Sequence, residues 1–118
     1  MPPLTALYHR DLGIPANLAR PAAGLALAYT HHALFAAEQD GLPRGYLPAA
    51  LPSVFDLIEV ATFAGKPTTW VVRFRLPDFS DWDIVLAVRW DGTVRTVWFN
   101  RSDDQHETLD RSRYRKPQ

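Results

Sequence analysis

Two runs in the second half of the chain, residues 83–90 and 93–100, flank the dipeptide Asp91-Gly92. That pair suits the positive φ angles of a two-residue type I′ hairpin turn. A turn of that length sets Trp90 opposite Thr93, Val88 opposite Arg95, Leu86 opposite Val97 and Ile84 opposite Phe99. One face then reads Ile84, Leu86, Val88, Trp90, Val97 and Phe99, which is a core face. The other carries Asp83, Val85, Ala87, Arg89, Val94, Thr96, Trp98 and Asn100. The run 68–76 alternates in the same way and adds Arg73 and Arg75 to that second face. Guanidiniums meet phosphates and an indole offers a stacking platform, so a sheet surface holding Arg73, Arg75, Arg89, Thr96, Trp98 and Asn100 suits single-stranded RNA. The same letters also describe a solvated sheet face on which arginine stems cover apolar neighbours.

Downstream of the hairpin, residues 100–114 are dense in groups that donate, accept or transfer protons. Arg101 leaves the second strand directly, so His106, Thr108, Arg111 and Tyr114 need not lie far from the polar face. A capped surface helix accounts for many of these residues without any function. Ser102 with Gln105 makes a capping box, Asp103 and Asp104 favour a helix start, and Arg111 and Arg113 favour a helix end. His31 and His32 project in different directions on a helix and are not expected to share one metal. His31, three and four residues before Leu34 and Phe35, is expected in the core, leaving His32 pointing outward as a general acid or base.

Several chemistries find no motif here. The chain has no G-x-S-x-G elbow, no phosphate-binding glycine loop and no H-E-x-x-H helix. The acid-x-lysine pattern common in metal-dependent nucleases is missing as well, since Ala64 and Tyr114 precede Lys66 and Lys116 by two residues. The remaining set of His, Arg, Tyr, Thr and Asn fits metal-free RNA cleavage through the 2′-hydroxyl. One group takes that proton, cations hold the phosphate as charge develops, and an acid protonates the leaving oxygen. Neither a metal nor another cofactor is expected.

Composition sets outer bounds. A chain of 118 residues, 47% hydrophobic, is expected to form one domain with its own core. Without cysteine it has neither disulfides nor thiolate metal sites. Thirteen basic residues balance thirteen acidic ones, so any basic surface must be local. No apolar run approaches bilayer length, and the Met-Pro-Pro start lacks a secretion signal, so no membrane partner and a cytoplasmic location are expected.

Pro2, Pro3, Pro15 and Pro21 make residues 1–24 a Pro-rich arm of short turns, anchored by Tyr8, Leu12 and Ile14, ahead of a single domain over 25–118. Thr30 as a cap and Gly41 as a stop predict a helix of about three turns between them, with Ala33, Leu34 and Ala37 facing the core. Strands are predicted over 56–64 and 68–76, followed by a connection over 77–82 and the Asp-Gly hairpin. The expected fold is therefore α+β, an N-terminal helical segment packed on an antiparallel sheet of about four strands.

The segment Tyr29-Thr30-His31-His32-Ala33-Leu34 followed by antiparallel strands resembles small bacterial ribonuclease toxins of the RelE and barnase-EndoU-colicin type. The ending Thr96-Val97-Trp98-Phe99-Asn100-Arg101, with Asp104, His106, Thr108-Leu109-Asp110 and Arg113-Tyr114, is similar to relatives found in phage and mobile elements. The resemblance implies a RelE/barnase-like sheet and matches His32 to a helix-start histidine. It matches Thr96, Asn100, His106 and Tyr114 to polar positions at the end of the sheet. Neutral charge and scarce lysine depart from RelE-type toxins and weigh against a ribosomal substrate.

The expected function is a metal-independent endoribonuclease, a toxin neutralised by a cognate antitoxin or immunity protein. Catalytic candidates are His32, His106, Asn100, Thr108 and Tyr114, and substrate-binding candidates are Arg73, Arg75, Arg89, Thr96, Trp98, Arg101 and Arg111. The alternative is a non-catalytic phage or mobile-element interaction module, with Trp82, Trp90 and Trp98 as anchors for a protein partner.

Overall fold

In a computed structural model the described residues are 7–10, 13–41, 44–76 and 79–101. They form β1 (Leu7–Arg10), β2 (Ala28–Tyr29), α1 (His31–Gln39), a 3-10 turn (Arg44–Tyr46), β3 (Asp56–Phe63), β4 (Lys66–Leu76), β5 (Phe79–Arg89) and β6 (Thr93–Arg101). The six strands make one sheet in the order β1-β3-β4-β5-β6-β2. All neighbours are antiparallel except β2, which runs parallel to β6.

The expected α+β layout, a helical segment on a four-stranded antiparallel sheet of RelE/barnase type, is thereby corrected. Among the described residues the fold is mostly sheet, mixed in direction, with one nine-residue α-helix. Part of the supposed arm, Leu7–Arg10, is an edge strand on β3, and the chain just before the helix is the other edge strand. Both are too short to carry a readable alternation, and their pairing is decided by distant residues. The supposed connection before the hairpin also belongs largely to the sheet, since β5 begins at Phe79.

The helix follows from its ends. Thr30 Oγ1 accepts from Ala33 N–H at 3.1 Å, and Gly41 at φ +89° donates its N–H to Glu38 O. Ala33 and Ala37, both fully buried, let α1 lie close against the main core. That core is built on Val60, Trp70, Val72, Phe74, Ile84, Leu86, Val88, Val94 and Val97. Residues 13–30 run over the same side, with Ile14, Leu18, Leu25, Leu27 and Tyr29 packed on it. Two polar groups inside this layer are satisfied by backbone carbonyls, Trp70 Nε1 by Ala19 O at 2.9 Å and the Tyr29 hydroxyl by Pro48 O at 2.6 Å. Burial pushes the Tyr29 hydroxyl well above the ordinary tyrosine range.

The hairpins differ from expectation in an informative way. At the β5–β6 turn only Gly92 has positive φ, at +92°, and Asp91 does not. The Asp91 carboxylate accepts the Thr93 N–H at 3.0 Å, and this bond holds its carboxyl below the usual range. Gly92 N–H donates to Arg89 O at 2.9 Å, so Trp90, Asp91 and Gly92 make a three-residue loop instead of a two-residue one. Val88 therefore faces Val94, and one residue further along a register shift restores the expected pairs Leu86 with Val97 and Ile84 with Phe99. Trp90, expected in the core, stands 60% exposed on the loop. The two-residue loop with both φ positive lies instead between β3 and β4, at Ala64 (+52°) and Gly65 (+80°).

Gly92 also anchors the N-terminal crossing. A Cβ there would lie 2.1 Å from Ala26 O, and Gly92 O accepts the Ala28 N–H that begins β2. Two measurements check these turns by chemical denaturation. Ala64→Asn, a residue that tolerates positive φ, is expected to raise stability by roughly 0.5–1 kcal/mol; an unchanged or lower midpoint would contradict the strained-alanine account. Gly92→Ala, facing both the clash and the positive φ, is expected to lose about 2–4 kcal/mol. Gly65→Ala, where nothing lies within 4 Å of the added Cβ, isolates the φ cost and should lose less.

Candidate functional site

Alternation along β4, β5 and β6 puts the polar residues on the face away from α1. Arg73 pairs with Val85, Arg75 with Asp83, Asp83 with Asn100, Val85 with Trp98, Ala87 with Thr96 and Thr69 with Arg89. This face has an apolar floor of its own, Ile58, Val71, Val85, Ala87 and Trp98. Ile58 joins it because β3 carries a bulge between Leu57 and Glu59, which places two successive residues against the same side.

Asp83 organises the polar end of the face. Its Oδ2 accepts from Arg73 Nε at 2.7 Å and its Oδ1 accepts from Arg75 Nε at 3.1 Å, so one carboxylate holds two guanidiniums. Arg73 Nη2 reaches past β5 to donate to Arg101 O on β6 at 2.9 Å. A second ion pair, Arg10 Nε with Glu59 Oε1 at 3.7 Å, ties β1 to β3. At this polar end, among the described residues, Arg73 Nη1 and Asn100 Nδ2 are buried donors without a hydrogen-bond acceptor.

The face is much less open than its composition suggests. Arg73 is 3% exposed and Trp98 1%, so in this state the indole is a floor for the sheet and its ring is covered. Thr96 is likewise buried, whereas Arg75 and Arg89 are exposed and Asn100 is half-buried. The arginines do not form one cluster. Arg89 is four strand positions beyond Val85, the partner of Arg73, which is about 13 Å along the strand. Arg73, Arg75, Asp83, Asn100 and the Arg101 carbonyl meet at one end, and Arg89 and Thr96 lie toward the other. The Arg101 guanidinium stands over the Trp82 ring, 5.9 Å from its centroid.

The helix-start histidines lie elsewhere. His31 and His32 are both exposed on α1, which packs through Ala33 and Ala37 on the main-core side of the sheet. His31 is therefore not the core histidine expected, because the helix turns its two alanines inward and presents both imidazoles to solvent. His32 and Arg73 are separated by the sheet. His9, opposite Val60, is also on the main-core side, where its Nε2 lies 3.5 Å from Thr62 Oγ1. His106, Thr108, Arg111 and Tyr114 lie outside the described residues.

Sequence reasoning missed the central role of Asp83, although the register that puts it beside Arg75 and Asn100 was readable. Among the described residues no group of three His, Cys, Asp or Glu side chains is placed to hold a metal ion, and no helix is long and apolar enough to cross a membrane. No family model, curated protein or solved structure matches the chain.

The Asp83 bridge predicts an asymmetric response to mutation. Asp83→Ala leaves the Arg73 guanidinium buried without its counter-ion and is expected to cost about 3–5 kcal/mol. Arg75→Ala, which removes a guanidinium from solvent, is expected to cost under about 1 kcal/mol. Equal small losses in both variants, measured by denaturant titration, would contradict burial of the Arg73–Asp83 pair.

Proposed function

We propose that the domain engages RNA through its second sheet face and cleaves it as a metal-independent endoribonuclease. The observation that carries this reading is the juxtaposition of Arg73, Arg75, Asp83 and Asn100 at one end of that face, with donors on Arg73 and Asn100 that no protein acceptor uses. Guanidinium and amide donors held rigidly beside a strand end are the groups that stabilise phosphate charge. Arg89, exposed further along the same face, extends the contact to neighbouring nucleotides.

The proton-transfer groups of this proposal are narrowed by the fold. His32 is on the far side of the sheet, and His9 faces the main core. The role falls to residues beyond Arg101, where the sequence holds His106 and Tyr114, with Thr108 nearby. An endoribonuclease of this kind harms its own cell, so a cognate inhibitory protein belongs to the same proposal.

A second reading is a non-catalytic protein-interaction module. It is favoured by Phe35 and Trp90, each 60% exposed, and by Trp82 at 40%. Such aromatic side chains suit interface anchors.

Inducible expression in a bacterial host, followed by cleavage assays with purified protein, separates the two. The endoribonuclease reading predicts RNA cleavage that survives EDTA and falls by about 10²–10⁴-fold in His106→Ala. Loss in His32→Ala with full activity in His106→Ala would move the chemistry to the helix side. Intact RNA with folded wild type at low salt would leave the interaction module.

A further inference from the structure

We propose that Arg73 and Asn100 form a binding site for one phosphoryl oxyanion, supplied either as inorganic phosphate or as a nucleic-acid phosphodiester. The argument starts from how the Arg73 donors are spent. Its Nε is held by Asp83 and its Nη2 by Arg101 O, while Nη1 is buried without an acceptor. Because the side chain begins on β4 and its Nη2 ends on β6, the guanidinium lies across the Asp83–Asn100 cross-strand pair. The amide of Asn100 is therefore its neighbour, and Asn100 Nδ2 is the second buried donor without an acceptor.

Two adjacent unused donors, one of them permanently charged, call for a ligand with several acceptor oxygens and negative charge. Leaving such donors buried and unmade is unfavourable, whereas a tetrahedral oxyanion can take Nη1 on one oxygen and Nδ2 on another. Acids also lie on this face, and Glu59, opposite Val71, is paired with Arg10. Asp83 has a guanidinium on each carboxylate oxygen, which reduces its repulsion of an incoming anion. Asp56, the β3 partner of Arg73, is exposed and does not bond to it. Arg75 is exposed on the same face and adds positive charge beside the pair, whereas the Arg101 guanidinium is turned to Trp82 on the other side of the sheet.

The site deepens the RNA reading and rests on it only for the phosphodiester source. The test therefore uses two probes on the full chain. Sodium phosphate is titrated against sodium chloride at equal ionic strength, with the Asn100 side-chain amide followed by NMR and the melting temperature recorded. Saturable movement of the Asn100 amide signals and a rise in melting temperature are expected for wild type. Asn100→Asp, a near-isosteric change at a half-buried position, is expected to weaken phosphate binding at least 10-fold by placing a carboxylate against the anion. Arg73→Lys, which keeps a cation for Asp83 but lacks the forked donors, should weaken it similarly. Arg95→Gln, on the bulge of β6, should leave it intact.

A 2′-O-methyl RNA oligonucleotide, which cannot be cleaved through its 2′-hydroxyl, is the second probe. Competition between this oligonucleotide and phosphate assigns the site to nucleic-acid phosphate. Phosphate binding without oligonucleotide binding keeps the site for a free anion and removes the RNA reading. Oligonucleotide binding that is equal in wild type and Asn100→Asp, with no phosphate response, overturns the site and leaves the RNA reading standing. Absence of any saturable phosphate response in folded wild type overturns the site outright.

Discussion

Desolvation of the Arg73 guanidinium is the constraint around which the second sheet face is arranged. A cation taken out of water costs several kcal/mol unless a counter-charge and further acceptors meet it. Asp83 supplies the charge and Arg101 O a second acceptor. Both are in reach only because β5 is paired to β4 and β6 in the observed registers. A slip of one residue in either pairing would send Asp83 or Asn100 to the opposite side, since strand side chains alternate. The ion pair and the register therefore support each other.

The same alternation divides the molecule into two working layers. On one side α1 and residues 13–30 close the main core, and the N-terminal crossing is fixed where Gly92 accepts the Ala28 N–H and allows Ala26 O to approach. On the other side, polar residues stand over the apolar floor of Ile58, Val71, Val85, Ala87 and Trp98. A site built there is attached to three long central strands, and their rigidity suits donors that must be held in place before a ligand arrives. The histidines of α1 belong to the first layer, so phosphate recognition and any role of His32 are physically separate.

Much of this was legible in the sequence where alternation is strong. Residues 69–75 of β4 and 83–89 of β5 keep a period of two without interruption, so the sides taken by Val72, Arg73, Val85 and Leu86 follow from their order alone. The helix between Thr30 and Gly41 was readable from its end residues. Three features were not. Ile58 and Glu59 both sit against the second face because a bulge interrupts β3, and a bulge erases the periodic signal. The Asp91-Gly92 turn took a three-residue loop because the Asp91 side chain caps Thr93, a local bond that propensity for type I′ turns does not include. β2 is two residues long, and its parallel pairing with β6 depends on contacts about 65 positions away. For the site, alternation assigned Arg73 and Trp98 to a face but carried no information on whether that face is covered.

The most direct test of the account is solvent exchange of the arginine Nε–H groups, followed by ¹⁵N-edited NMR. Arg73 Nε–H, buried on Asp83, should exchange about 100-fold or more slowly than an exposed arginine such as Arg95, a factor corresponding to roughly 3 kcal/mol of opening free energy. Exchange of Arg73 as fast as that of Arg95 in the folded protein would contradict the buried ion pair, and with it the organisation of the second face.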